Sequence, residues 1–165
     1  MTGARVGMRG APPRPEGPVL FFDGDCILCN GFADFVLRRD RRHALRLATL
    51  QGETAAVWLA RGETSPSVAD AAEGPGPASG PDPGPGFRSV VLYEAGATYR
   101  KSEAVRRVLR HLGGAWRVVA SLFGLVPRVV RDAVYDVVAR HRFRWFGRRA
   151  ACRMPAPEER DRFLP

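Results

Sequence analysis

Lysine is nearly missing from this chain: of its 26 basic residues Lys101 is the only lysine, and the rest are arginines. Alongside so much Ala, Gly and Pro, that imbalance reads as a coding bias rather than a dedicated binding surface. Cysteine is scarce, with 3 among 165 residues, which excludes a disulfide-stapled secreted scaffold. Long apolar runs are missing as well. The longest, Val118 to Pro127 between Arg117 and Arg128, is half the roughly 20 residues that a membrane span needs. The stretch from Met1 to Pro18 has no apolar h-region, so no signal peptide is visible. Against these absences, 45% of the residues are hydrophobic, enough for a real core and too many for wholesale disorder. The expectation is a soluble, cytoplasmic, single-domain protein with no membrane span.

The formal charge is +9, and a basic balance first suggests nucleic acid. The arginines are scattered, however. The tightest cluster (Arg140, Arg142, Arg144, Arg148, Arg149) interleaves with Phe143, Trp145 and Phe146. That pattern suits base stacking, but it equally describes a solvated basic face over buried aromatics. The second reading is preferred, and no nucleic-acid partner is expected.

Along the chain, residues 1–17 read as a disordered leader. Pro18 to Phe22 is a short apolar run ended by Asp23-Gly24, a buried-strand pattern. A helix follows from Cys26, with Leu28, Phe32, Phe35 and Val36 on one stripe. Ala44 to Ala48 suits a second strand and Ala55 to Ala60 a brief helix. Residues 62–86 have no apolar periodicity and cannot bury enough surface to offset their ordering entropy. They read as a flexible Gly/Pro-rich insertion inside the domain, which runs over 18–155 before a tail at 156–165.

Order resumes with a strand at Ser89 to Tyr93, a turn at Ala95-Gly96 and a return strand at Ala97 to Arg100, a hairpin pattern. Ser102 is the expected N-cap of the next helix, whose buried stripe is Val105, Val108, Leu109 and Leu112. Gly113-Gly114 stop it. Two further helices are expected. One runs from Trp116 to Phe123; the other starts at Pro127 and turns Val130, Val134, Val137 and Val138 inward. From Arg142 the chain is expected to be irregular. The class is α/β: a thioredoxin-like β-α-β…β-β-α core with additional C-terminal helices.

Chemistry concentrates at Cys26-Ile-Leu-Cys29, where the first strand hands over to the first helix. A spacing of three brings both thiols to one helix face. The N-terminal position favours a thiolate at Cys26, making it the attacking sulfur and Cys29 the resolving one. Asp23 and Asp25 oppose that effect, because nearby negative charge disfavours ionisation of a thiol. Asp25 suits a helix cap, Asp23 a strand-ending turn, and either could accept a proton during exchange. Asp-Gly-Asp before Cys26 marks a polar, accessible turn, which weighs against two merely structural cysteines.

Two other chemistries use the same residues. Cys26, Cys29 and Cys152 with one of His43, His111 or His141 would make a zinc set, but no second pair has ligand spacing. Asp23 and Asp25 in Phe21-Phe-Asp-Gly-Asp-Cys-Ile27 imitate the nucleophile and acid/base of a haloacid-dehalogenase-type phosphatase. That chemistry also needs a lysine and a downstream acidic pair. Lys101 is the only lysine, and Asp132 and Asp136 fall in a helical pattern.

The stretch from Leu20 to Cys29 resembles the signature of the thiol-disulfide oxidoreductase DCC family, a thioredoxin-like group. The likeness continues through Leu45 to Gln51, Ser89 to Tyr93, Lys101 to Val105, Arg131 to Asp136, Arg140 to Gly147 and Cys152 to Pro155. It implies a thioredoxin-like fold and dithiol–disulfide exchange at Cys26 and Cys29, with no metal or organic cofactor. Its partners would be a disulfide-containing protein or small molecule and an external reductant. Two features depart from thioredoxin proper: no proline directly precedes Ser89, the nearest being Pro85, and Ile27-Leu28 replaces Gly-Pro. Cys152 is expected to be buried, and Tyr135, Arg140, Trp145 and Gly147 to serve packing. The competing class is a non-catalytic thioredoxin-like interaction module with a basic C-terminal face.

Overall fold

The computed structural model describes residues 17–60, 65–66, 90–148 and 157–164. Residues 1–16 of the expected leader, Cys152, Pro85 and most of the expected insertion lie outside the described residues. Strand β1 (Val19–Phe22) is buried along its whole length. Its period-2 alternation divides the core. Leu20 and Phe22 face α1 (Ile27–Arg39) with Val36, Ala33 and Leu37, while Val19 and Phe21 join Ala48, Ala55 and Val91 on the other face. A strand buried on both faces explains the unbroken apolar run in the sequence.

Strand β2 (Arg46–Thr49) lies parallel to β1 after the α1 crossover, and α2 (Glu53–Ala60) packs behind it. β4 (Val91–Glu94) runs antiparallel to β1 and forms a hairpin with β5 (Ala97–Arg100). The turn residues Ala95 and Gly96 have φ of 50° and 83°, the double positive φ of a type I′ turn. With β3 (Ser65–Pro66) and β6 (Phe163–Leu164), the described sheet has the order β3-β5-β4-β1-β2-β6. Its centre, β2-β1-β4-β5, carries the β-α-β and β-β-α units of a thioredoxin-like α/β fold. The two outer strands are new relative to the sequence reading. β3 (Ser65–Pro66), inside the expected insertion, pairs with β5, and β6 (Phe163–Leu164), in the expected tail, pairs with β2.

Helices α3 (Lys101–Leu112), α4 (Ala115–Leu125) and α5 (Arg128–Phe146) complete the described fold. Gly113, at φ 70°, ends α3 as the sequence suggested. Three details correct the expectations. Ser102 does not cap α3: the helix starts a residue earlier, and Ser102 instead donates its hydroxyl and its backbone N–H to Asp132 of α5. The chain is not irregular from Arg142, because α5 continues to Phe146. Most of the expected α5 stripe faces outward: Val130, Val134 and Val137 are exposed, and only Val138 is half-buried. Arg131, Asp132 and Arg142 take the inward positions. Among the described residues no helix is long and apolar enough to cross a membrane.

Candidate functional site

The loop between β1 and α1 holds the two cysteines, and its shape comes from side chains that reach back onto the backbone. Asn30, buried on the first turn of α1, donates from Nδ2 to the carbonyls of Gly24 (2.7 Å) and Cys26 (2.8 Å). Asp23 accepts from the Asp25 backbone N–H and from Gln51 Nε2. Gln51 closes the loop by accepting from the Gly24 N–H. Cys26 itself is the N-cap residue of α1, in extended conformation and without a side-chain cap bond. The capping role considered for Asp25 is thus not realised, and its side chain lies exposed.

Neither thiol is in a disulfide. Both are buried, Cys26 fully and Cys29 to 6% exposure, among Phe22, Ala33, Leu37, Leu47 and Phe143. This corrects the expectation of an accessible turn. Asp23 and the loop backbone are taken up by internal hydrogen bonds, only the Asp25 side chain facing outward, and the C-terminal chain lies across the loop. The Cys26 backbone forms an antiparallel bridge with Arg148, whose guanidinium stacks 4.5 Å from the Phe143 ring.

The two sulfurs are not equivalent. Burial first, then the charge of Cys26 and a hydrogen bond to it, push the Cys29 thiol up from 9.0 to about 12, with Arg142 opposing and Asp23 adding. Cys29 therefore holds its proton at neutral pH and well above it.

Arg142 is the part of the site that sequence reasoning missed. Its Nη2 lies 2.7 Å from Asp23 Oδ2, in a buried ion pair that spans 119 positions. The sequence places it in a solvated basic face, yet it is 3% exposed. No local spacing could have paired it with Asp23. Tyr135 does more than pack. Its hydroxyl accepts from the Val90 N–H, tying α5 to the start of β4, and burial, before all else, pushes its pKa up from 10.0 to about 12. Cys29, Tyr135 and Arg142 border a cavity of about 180 Å³ whose other walls include Leu28, Phe32, Val90 and Val138. An apolar group the size of a large side chain fits there, beside Cys29.

The phosphatase reading finds little support in this arrangement. Asp23, the would-be phosphatase nucleophile, is committed to Arg142, Gln51 and its own loop. Lys101 bonds Asp136 at 3.1 Å, and Asp132 holds Ser102 and Arg128. Among the described residues no three His, Cys, Asp or Glu side chains gather as a metal site. Cys152 of the considered zinc set lies outside them.

The family model for DCC1-like thiol-disulfide oxidoreductases matches residues 20–148. The chain belongs to that family. A Bacillus subtilis (strain 168) relative, the uncharacterized protein YuxK, is 38% identical over 89% of this chain and 93% of its own. A chloroplastic DCC family protein of Arabidopsis thaliana is 32% identical over 83% of this chain and 69% of its own. No solved structure matches. The matched region of this DCC1-like chain runs from β1 to the Arg148 bridge, so it takes in the dithiol loop, the Asp23–Arg142 pair and Tyr135 together.

Proposed function

We propose that Cys26 and Cys29 form a redox dithiol and that the chain is a thiol-disulfide oxidoreductase of the protein-disulfide reductase type. The observation that carries this reading is the pair itself: two thiols in mutual hydrogen-bond contact at the start of α1, one held protonated. In the forward direction the Cys26 thiolate attacks one sulfur of a substrate disulfide. The substrate S–S bond breaks, a mixed disulfide forms, and the released substrate thiolate takes a proton from water. Cys29 then gives up its proton to solvent and attacks the Cys26 sulfur. The mixed disulfide breaks, a Cys26–Cys29 disulfide forms, and the second substrate thiolate leaves and is protonated. Two electrons pass to the substrate, and an external thiol reductant regenerates the dithiol. The cavity beside Cys29 offers an apolar neighbour of the substrate disulfide a place to rest. The Arg148 bridge must yield for a substrate sulfur to reach Cys26. A cytoplasmic setting, where thiols are kept reduced, suits this direction, and Asp23 acts as the positioning partner of Arg142 rather than as a reacting group.

Burial of both sulfurs favours one other reading, a binding module on the same fold with two core cysteines. A glutathione redox titration, read by mass after alkylation of the remaining thiols, separates the two. The dithiol reading expects a reversible two-electron transition that joins Cys26 to Cys29 and vanishes in Cys26→Ser. Thiols that stay unpaired across the whole titration would overturn it in favour of the module.

A further inference from the structure

The α4–α5 hairpin carries its apolar residues on the wrong side for a core. On α4, Val118, Leu122 and Leu125 follow one outward line at helical spacing, with Val119 beside it. On α5, Val130, Val134, Val137 and Trp145 do the same. Around the turn the side chains stand nearly free, with Leu125 at 79% and Val129 at 81% exposure. The inward face of α5 is meanwhile occupied by Arg131, Asp132 and Arg142, held by Glu103, Ser102 and Asp23. The outward apolar stripe is therefore fixed by buried ion pairs and is not a rotational accident of the helix.

The charge on this surface has one sign. Of the exposed residues from Ala115 to Phe146 none is acidic, while Arg117, Arg140 and Arg144 are exposed. The only acids in that stretch are Asp132, buried, and Asp136, half-buried against Lys101. We infer that the α4–α5 face seats on an anionic lipid bilayer surface, its valines and leucines entering the headgroup boundary and its arginines meeting the lipid phosphates. A second copy of this chain is a poorer occupant, because each copy carries a formal charge of +9 and the contact would bring like charges together. Side chains that stand four-fifths clear of the protein suit a fluid apolar phase, which needs no matching pocket. The inference is independent of the redox reading, since no residue of the dithiol loop takes part.

The test is co-sedimentation of the full chain with phosphatidylcholine vesicles, with and without phosphatidylglycerol. Binding is expected on the anionic vesicles only, at least about tenfold above the neutral ones, and it should weaken as salt screens the arginines. The double variant Leu125→Glu/Val129→Glu changes two exposed positions. It should bind at least about tenfold more weakly while its melting and its glutathione titration stay unchanged. Three results would each overturn the inference: a full chain left in the supernatant with both vesicles, a double variant that binds like the parent, or equal binding to soluble polyglutamate. The last would assign the face to an acidic protein. A dimer in sedimentation equilibrium that the double variant abolishes would overturn it too, in favour of a second copy.

Discussion

Asp23 and Arg142 show how a single pair organises this site. Their side chains are 11% and 4% exposed, so each charge depends on the other for the solvation it gave up. Removing one partner strands the other. Arg142→Met should accordingly lower unfolding free energy by roughly 3 kcal/mol, whereas Asp23→Asn/Arg142→Met should recover a good part of that loss. Urea denaturation of the three proteins checks the ordering, and equal losses for the single and double variants would refute it. The raised thiol and phenol make a separate prediction at this scale. The folded Cys29 keeps its proton to about 12 whereas an ordinary cysteine releases it near 9.0. Tyr135 behaves likewise, from 10.0 to about 12. Between those values the unfolded chain binds fewer protons, so stability is fully present below about 9 and falls as pH rises towards 12. The expected slope is roughly 1 kcal/mol per pH unit for each group. Denaturant melts from pH 8 to 11 should show the decline, and Cys29→Ser should flatten its first part.

At the scale of elements, α5 is where sequence pattern and structure part company. Periodicity places apolar residues inward, and it predicted Val130, Val134 and Val137 as core. The helix is turned the other way because its polar positions find partners: Asp132 takes Ser102, Tyr135 takes the Val90 N–H, Arg131 approaches Glu103 and Arg142 takes Asp23. Each partner is remote in sequence, so no window of one helix could reveal it. Glu103 shows how strong this polar seam is. Burial raises its pKa, yet Arg106, Arg107 and Arg131 together outweigh that and hold it below the ordinary carboxylate range. By contrast β1, α1, the Ala95-Gly96 hairpin and the Gly113 stop were legible, because buried-strand runs and turn chemistry are local signals. The same held for the dithiol: the cysteines' position at the helix start was readable, but their burial was not. Val134→Ser tests the inverted helix. It should change stability by less than about 0.5 kcal/mol, as an exposed position does, where a core valine would cost roughly 2 kcal/mol or more. A large loss on denaturation would mean the valine is buried after all.

For the molecule as a whole, the C-terminal chain returns to close the sheet opposite the β4–β5 hairpin. β6 adds to β2, and the 3-10 turn before it (Pro157–Arg162) brings Arg162 to Asp40. Asp40 lies at the end of α1, where it also accepts from the Ala44 and Leu45 N–H groups, and Arg162 donates to the carbonyls of Leu37 and Leu45. One arginine thus locks helix, loop and tail into a single unit on the side of the sheet where Phe163 packs edge-on against Phe22, 6.4 Å between ring centres. Phe22 and Phe163 share a cluster with Cys26 and Cys29, so the tail supports the dithiol from beneath while the Arg148 bridge covers it. Deleting residues 157–165 should have two consequences. Asp40 would be left buried without its charge partner, costing on the order of 3 kcal/mol. β2 would become an open edge, a template for pairing with other chains. Thermal unfolding should therefore show a Tm lowered by several degrees, and light scattering should show association that the full chain does not. Arg162→Met keeps the β6 strand and removes only the charge. It should reproduce part of the loss of Tm without the association, which assigns that part to the ion pair and the association to the strand. If the truncated chain melts like the parent, the tail contributes nothing to the fold, and the packing of Phe163 against Phe22 does not support the cysteine loop.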